Sequence, residues 1–301
     1  MIQLLSRKQI NIEKYDTCIA NATQCNVFGF SWYLDIACTN WSALVLDDYD
    51  AVMPIPWRKK LFTKYVYPPF WILELGIYSN EVVDENEFLI ALFDSFNFVE
   101  TRLNTHNSFS MFLPYRKVRS FQYISLNKTY DLIVNNYRKD RKKDLKKALK
   151  HDLTEKWNGD ARKFIQLYQK NIGKRVKKLR EKDYQNLYEL IKVSQQKKVG
   201  DLLSIYNKDG VLVAAGFFLK YQGKVSIVAS ATDLKMRKNG ANTFLIDRAI
   251  YKYEPHYKEF NFGGSSMKNI AKYFLSFGAK NQQYYFLKYN NLSKILRFFK
   301  R

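Results

Sequence analysis

Two glycine-rich turns in the last third of the chain have the residue types to hold an anion on backbone groups. The first, Arg237-Lys238-Asn239-Gly240-Ala241-Asn242, follows the β-branched run 225–232 and precedes an amphipathic run from Thr243 to Tyr253. The second, Gly263-Gly264-Ser265-Ser266, follows Phe260-Asn261-Phe262 and precedes the aromatic run from Ile270 to Phe277, which Gly278-Ala279 closes. Strand, turn and helix repeated in this way set two helix N-termini on the same side of a sheet. Backbone N–H groups donate to phosphate there, and glycine lets the backbone approach closely. Arg237 and Lys238 add charge. An ordinary α/β unit with glycines at its turns has the same pattern, so spacing alone leaves both readings open.

A third candidate is Arg141. It lies in the segment Thr129–Lys150, where from position 138 onward Arg138, Lys139, Arg141, Lys142, Lys143, Lys146, Lys147 and Lys150 are offset only by Asp140 and Asp144. Tyr137 and Leu145 flank Arg141 at helical spacing on the packing face. An arginine turned inward needs an anion, from an acidic side chain or from a ligand phosphate. The other lysines form a solvated face or track a phosphate backbone, and the basic segment 174–182 offers the same surface again. In the extended stretch Tyr65–Trp71, held open by Pro68 and Pro69, Tyr67 and Phe70 are either core wall or the lip of a substrate groove.

Other chemistries find less support. Cys18, Cys25 and Cys38 are odd in number and lack metal-binding spacing, and His106, His151 and His256 are scattered. The reading is of reduced core cysteines in a cytoplasmic protein, with no His-based metal site or triad. The N-terminus has no apolar leader, and the longest apolar run, Val211–Leu219, falls short of the roughly 20 residues that span a bilayer. A soluble chain is expected. Its net charge of +22 is uneven: residues 1–130 hold 12 basic and 13 acidic side chains, and residues 131–301 hold 38 and 15. The second half therefore suits a polyanionic partner.

The elements that must position these groups can be read in order. Asn11–Ala22 and Phe28–Ile36 read as helices, and Trp41–Leu46 and Ala51–Pro56 as a hairpin closed by Asp47–Asp50. Pro54 and Pro56 place the returning strand at an edge or end its pairing. A helix over Phe88–Phe98 and strands at Ser110–Leu113 and Tyr123–Leu126 complete a first unit, 1–128. The second, 129–301, begins with the basic helix Thr129–Lys150; its last residues are free to pack back on the first unit. Helices at Ala161–Gly173 and Asp183–Gln195 follow. Asp209-Gly210 and Gln222-Gly223 then join three strands into a meander that feeds the first glycine turn.

This order resembles the GNAT acyltransferase fold, in which a meander and a strand lead to an R/Q-x-x-G-x-G/A pyrophosphate turn and a helix. Arg237 and Gly240 keep that motif, and Asn242 stands where the family has Gly or Ala. The whole chain resembles the Fem-type branch, which pairs two such units. The likeness rests on Trp32-Tyr33-Leu34, Tyr67-Pro68-Pro69-Phe70, Tyr137-Arg138-x-x-Arg141, and Phe262-Gly263-Gly264-Ser265 followed by Phe274-x-x-Phe277-Gly278-Ala279. No segment has the sustained heptads of the coiled-coil arm carried by the bridge-forming members. The resemblance implies an α+β chain of two tandem GNAT-like units, each a mixed, mostly antiparallel sheet flanked by helices. It implies an N-acyltransferase that moves an acyl group from acyl-CoA to an amine. Aminoacyl transfer from charged tRNA is the second reading, and a non-catalytic module for nucleic acid or an anionic surface the third. Backbone N–H groups near Val228–Ala231 would polarise the acyl carbonyl, and those of Lys238–Asn242 would hold phosphate. Asp233 is the candidate base, and Tyr284 or Tyr285 the candidate proton donor to the leaving group. Gly263, Gly264, Ser265, Tyr67, Phe70 and Arg141 are the candidate substrate contacts, with no metal.

Overall fold

Tight turns set the first sheet. In the computed structural model, which describes residues 1–60, 62–173, 176, 179–263 and 267–293, the turn with Asp47 and Tyr49 at positive φ joins β2 (Asn40–Leu46) to β3 (Ala51–Lys60). The chain divides into two compact units, residues 1–119 with those from Gln283 onward, and 120–282. The sequence reading divides the chain at 128/129, and its closing segment includes 294–301, outside the described residues.

The first unit also holds β1 (Ile2–Ser6), α1 (Ile12–Asn21), α2 (Ser31–Ala37), β4 (Thr63–Val66), β5 (Tyr78–Ser79), α3 (Glu85–Ser95) and β6 (Phe98–Arg102). Its strands run β1-β2-β3-β4-β6, with β5 beside β3. All pairings are antiparallel except β4 with β6, which meet in parallel at Val66 and Val99. Leu44, Met53, Ile55, Phe88, Leu92 and Val99 form its core. Pro54 and Pro56 do not make β3 an outer strand. On the side away from β2, β5 pairs at Ala51 and Val52 and β4 from Trp57 onward, so the prolines lie in the unpaired interval. A missing N–H costs nothing there.

β7 (Arg116–Ser125) leads into the second unit: α4 (Tyr130–Asn135), α5 (Lys139–Lys150), β8 (Thr154–Trp157), α6 (Ala161–Tyr168), α7 (Glu181–Gln196), β9 (Gly200–Tyr206), β10 (Leu212–Tyr221), β11 (Lys224–Thr232), α8 (Ala241–Tyr253), β12 (Glu259–Asn261) and α9 (Lys268–Leu275); β13 (Lys280–Asn290) follows. The strand order is β7-β12-β11-β10-β9-β8, antiparallel throughout except for β11 with β12. Ile205, Phe218, Val225, Leu245, Ile250 and Phe260 lie in its core.

Two local expectations change. The segment Thr129–Lys150 is two helices, because Arg138 is extended and its N–H leaves the helical ladder to donate to Ser276 O at 2.9 Å. Ser110–Leu113 is no strand; a 3-10 turn at Leu113–Tyr115 occupies its end, and the strand instead follows α3 at Phe98–Arg102. Among the described residues no helix is long and apolar enough to cross a membrane.

Candidate functional site

β11 is the element on which the site is built. Its alternation of small and β-branched residues suits a strand covered on both faces. It pairs in parallel with β12 only from Lys224 to Ser226, while the strand itself continues to Thr232. Beyond Ser226 the two strands part. On its other side β11 carries a bulge: Phe217 of β10 faces Ala229 and Phe218 faces Ile227, which leaves Val228 without an opposite residue. A bulge re-aims backbone groups out of the ladder. It falls where β11 has already left β12.

The chain leaves β11 through Asp233, whose carboxylate accepts the Lys235 N–H at 2.9 Å and so caps the 3-10 turn Leu234–Asn239. Its other oxygen takes Lys170 Nζ at 3.2 Å. The Lys235 N–H first, then Lys170, hold this carboxyl below the usual range. A carboxylate stabilised in this way is a weak proton acceptor.

Gly240 ends the turn at φ +85° and starts α8. A Cβ here would stand 2.1 Å from the Asp144 carbonyl oxygen, so the glycine admits the backbone of α5. Asn239 is buried, and its Oδ1 accepts the Ala241 N–H at 3.1 Å. Its Nδ2 is buried with no hydrogen-bond partner among the described residues. Asn242 does not stand free either, because its Oδ1 accepts from the Thr232 hydroxyl at 3.2 Å and ties the helix to the end of β11. Arg237 and Lys238 are exposed.

Arg141 turns inward beside this turn, its side chain 12% exposed. Its Nη1 donates to Thr243 Oγ1 at 2.8 Å and lies 3.0 Å from Asp144 Oδ2; its Nη2 lies 3.2 Å from Asp140 Oδ2. The guanidinium sits 4.6 Å above the Tyr273 ring, and the Tyr273 hydroxyl meets Thr243 Oγ1 at 3.2 Å. Burial raises the Tyr273 phenol to about 12. The anion that an inward arginine needs is thus present in the chain as Asp144 and Asp140. Arg141 Nε remains buried with no partner among the described residues. Two buried donors thus lack a partner among the described residues, Arg141 Nε on α5 and Asn239 Nδ2 in the turn before α8.

Other expected residues lie elsewhere. Gly263 has φ +76° and donates its N–H to Asn261 Oδ1 at 2.8 Å. Gly264 and Ser265 lie outside the described residues, as does part of the basic segment 174–182. Tyr67, Phe70 and Tyr285 belong to the first unit. Tyr67 lies under the Arg58 guanidinium at 4.1 Å, and burial raises its phenol. Phe70 is half-buried beside Trp71, with ring centroids 6.2 Å apart. Tyr285 packs against Phe109 and under Arg116. Among the described residues no cluster of His, Cys, Asp or Glu is arranged to hold a metal ion. The sequence reading left the anion of Arg141 open between an acidic side chain and a phosphate, and Asp144 at i+3 fills it. It missed Thr243 and Tyr273, which come from helices far along the chain.

No family model and no curated protein matches this sequence. Its structure, by contrast, matches solved structures over their full length. One is FemX, at 13% identity, with 99% of each chain covered and a TM-score of 0.66. A second is L-PGS from Bacillus licheniformis, at 12% identity, covering 95% of this chain and 94% of that one with a TM-score of 0.58. A third is a tandem GNAT protein from the clavulanic acid biosynthesis pathway, at 9% identity, covering 98% and 100% with a TM-score of 0.55. The fold is a tandem GNAT fold, two units each with a mixed, mostly antiparallel sheet flanked by helices. Within that class its fold is similar to those of FemX and L-PGS.

Proposed function

We propose that the chain is an N-acyltransferase that moves an acyl group from acyl-CoA to an amine. The observation that carries this reading is the parting of β11 from β12 after Ser226, with a bulge at Val228 and the Gly240 helix start at its end. A thioester is already activated, so the protein's work is positioning and charge stabilisation. The acyl chain would lie along the free edge of β11. A backbone N–H re-aimed by the bulge would donate to the carbonyl oxygen as it becomes an oxyanion. The amine nitrogen attacks the carbonyl carbon, the new C–N bond forms, and the C–S bond breaks to release thiolate. The ammonium proton leaves through water. Asp233, capped and ion-paired, suits the task of holding the turn better than that of abstracting the proton.

Phosphate would meet the backbone N–H groups at the start of α8, where the exposed Arg237 and Lys238 add charge. Thermal shift with a panel of acyl-CoAs and free CoA tests the proposal. Stabilisation that Arg237→Glu with Lys238→Glu removes is the expected result; no stabilisation by any CoA species sinks it.

One observation favours aminoacyl-tRNA as the donor instead. α5, with Lys139, Lys143, Lys146, Lys147 and Lys150 exposed, packs its backbone against Gly240 itself. A charged-tRNA affinity that falls steeply with salt, with no CoA effect, selects that reading. Salt-dependent binding with no transfer activity from either donor selects a non-catalytic module.

A further inference from the structure

Residues 1–130 are close to neutral, yet a third of their twelve cations are gathered on one hairpin. Between Ala51 and Ile72 the chain holds Arg58, Lys59, Lys60 and Lys64 and no acidic residue. These residues lie on the β3–β4 ribbon. The last residue of β3 that pairs with β2 is Trp57, and β4 reaches β6 only at Val66. From Arg58 to Tyr65 the two strands pair only with each other among the described residues. Such a ribbon extends past its sheet and has no core of its own. It is stapled at its base instead: Arg58 lies 4.1 Å over the Tyr67 ring, Lys64 4.8 Å over the Trp57 ring, and the Tyr65 and Phe98 rings are 6.5 Å apart.

Two features of the ribbon work against it in water. Lys59 and Lys64 are direct cross-strand partners, and like charges placed opposite one another repel. Among the described residues no ion pair involves Arg58, Lys59 or Lys64. At the far end Phe62 is 95% exposed. An aromatic ring at the extremity of a ribbon, with a collar of cations behind it, is complementary to a surface that is anionic outside and apolar within.

We propose that the β3–β4 hairpin docks the protein on an anionic lipid surface, with Phe62 inserted among the acyl chains and Lys59, Lys60 and Lys64 at the headgroups. The dimensions agree. At about 3.3 Å per residue the Lys59–Lys64 pair sits roughly 7 Å behind the tip, which matches the insertion of about 5–10 Å expected of interfacial segments. Trp57 and Tyr65 lie one or two residues further back, where amphipathic rings suit the membrane–water boundary. A single-stranded nucleic acid is the rival polyanion. It stacks its bases on exposed aromatic rings set along a groove, whereas Trp57, Tyr65 and Tyr67 are half-buried and Phe62 is the fully exposed ring of the described hairpin residues.

The test is co-sedimentation of the full chain with phosphatidylcholine vesicles, with and without phosphatidylglycerol, at low salt. Binding only to the anionic vesicles is expected. Lys59→Ala with Lys64→Ala lowers partitioning about 30-fold, at the usual worth of a cation near such a surface. Phe62→Ser lowers it about tenfold or more and keeps the wild-type thermal midpoint because the ring is exposed. In the lysine pair the lost Lys64–Trp57 contact is offset by the relieved like-charge repulsion. Lys143→Glu with Lys146→Glu on α5 is the control and leaves the hairpin-dependent binding in place. The proposal is overturned if wild-type protein stays in the supernatant, or if the hairpin variants sediment like wild type. It is equally overturned if they lose affinity for poly(U) RNA while keeping their vesicle binding.

Discussion

Each unit contains one parallel strand pair with a helix between its members, and the helix starts differ. In the first unit, β4 and β6 flank α3, whose N-terminus is capped by the Asp84 carboxylate and carries Glu85 and Glu87 in its first turn. In the second, β11 and β12 flank α8, which begins at Gly240 with no acidic residue in its first turn and with Arg237 and Lys238 just before it. A helix N-terminus holds about half a positive charge on its free N–H groups. In α3 that charge is neutralised by its own carboxylates; in α8 it is left for another anion and reinforced. One fold repeated twice thus carries its own carboxylates at the helix start in only one copy, as the proposed phosphate site requires, and the difference lies in three or four residues before and inside the first helical turn.

The largest effect that would break this contrast is at Gly240. Gly240→Ala forces a Cβ against the Asp144 carbonyl at positive φ. A loss of about 3 kcal/mol follows from strain and overpacking together, read as a lower denaturant midpoint. An unchanged midpoint would mean that α5 does not press on the turn. Arg141→Met comes next. It removes the ion pairs with Asp140 and Asp144 and the donor to Thr243. Asp144 keeps the Thr243 hydroxyl at 3.2 Å and Lys147 at 3.5 Å, so the cost is about 1–2 kcal/mol. Arg237→Glu with Lys238→Glu leaves stability within about 0.5 kcal/mol and weakens donor binding about tenfold or more by calorimetry.

The converse change in the first unit, Glu87→Lys, leaves donor binding untouched and costs about 0.3–1 kcal/mol through the α3 dipole. Donor binding that responds to Glu87→Lys as strongly as to the α8 pair would erase the contrast. The smallest effect concerns pH. The Asp233 carboxyl is held below its unfolded value of about 3.9. Its contribution to stability is therefore complete above that pH and lost as pH falls through the lower folded value. Asp233→Asn flattens the acid limb of the melting temperature against pH and leaves the neutral-to-basic limb unchanged.

Much of the second unit was legible. Asp209-Gly210 and Gln222-Gly223 sit at hairpin turns, with both glycines at positive φ, and the runs between them are β9, β10 and β11. The helix after Gly240 and the short strand at Phe260 also lie where the period of the sequence puts them. The break at Arg138 was not legible, because residues 130–150 keep helical composition throughout and only the Ser276 carbonyl draws the Arg138 N–H away. The interior position of β3 was obscured by prolines that the gap between β5 and β4 tolerates. Of the candidate site, the glycine turn was visible as a spacing, but the identity of its neighbours was not.

Local sequence determined what each segment does: which residues turn, which alternate and which carry charge. These depend on backbone sterics and hydrophobic period within a few residues. Tertiary structure alone decided what Gly240 makes room for and which partners Arg141 meets beyond Asp140 and Asp144 of its own helix. Thr243 joins Arg141 across 102 residues of sequence, and Tyr273 reaches Thr243 from another helix. A contact between elements so distant has no trace in local spacing, because its energy is settled only when both helices have packed on the same sheet.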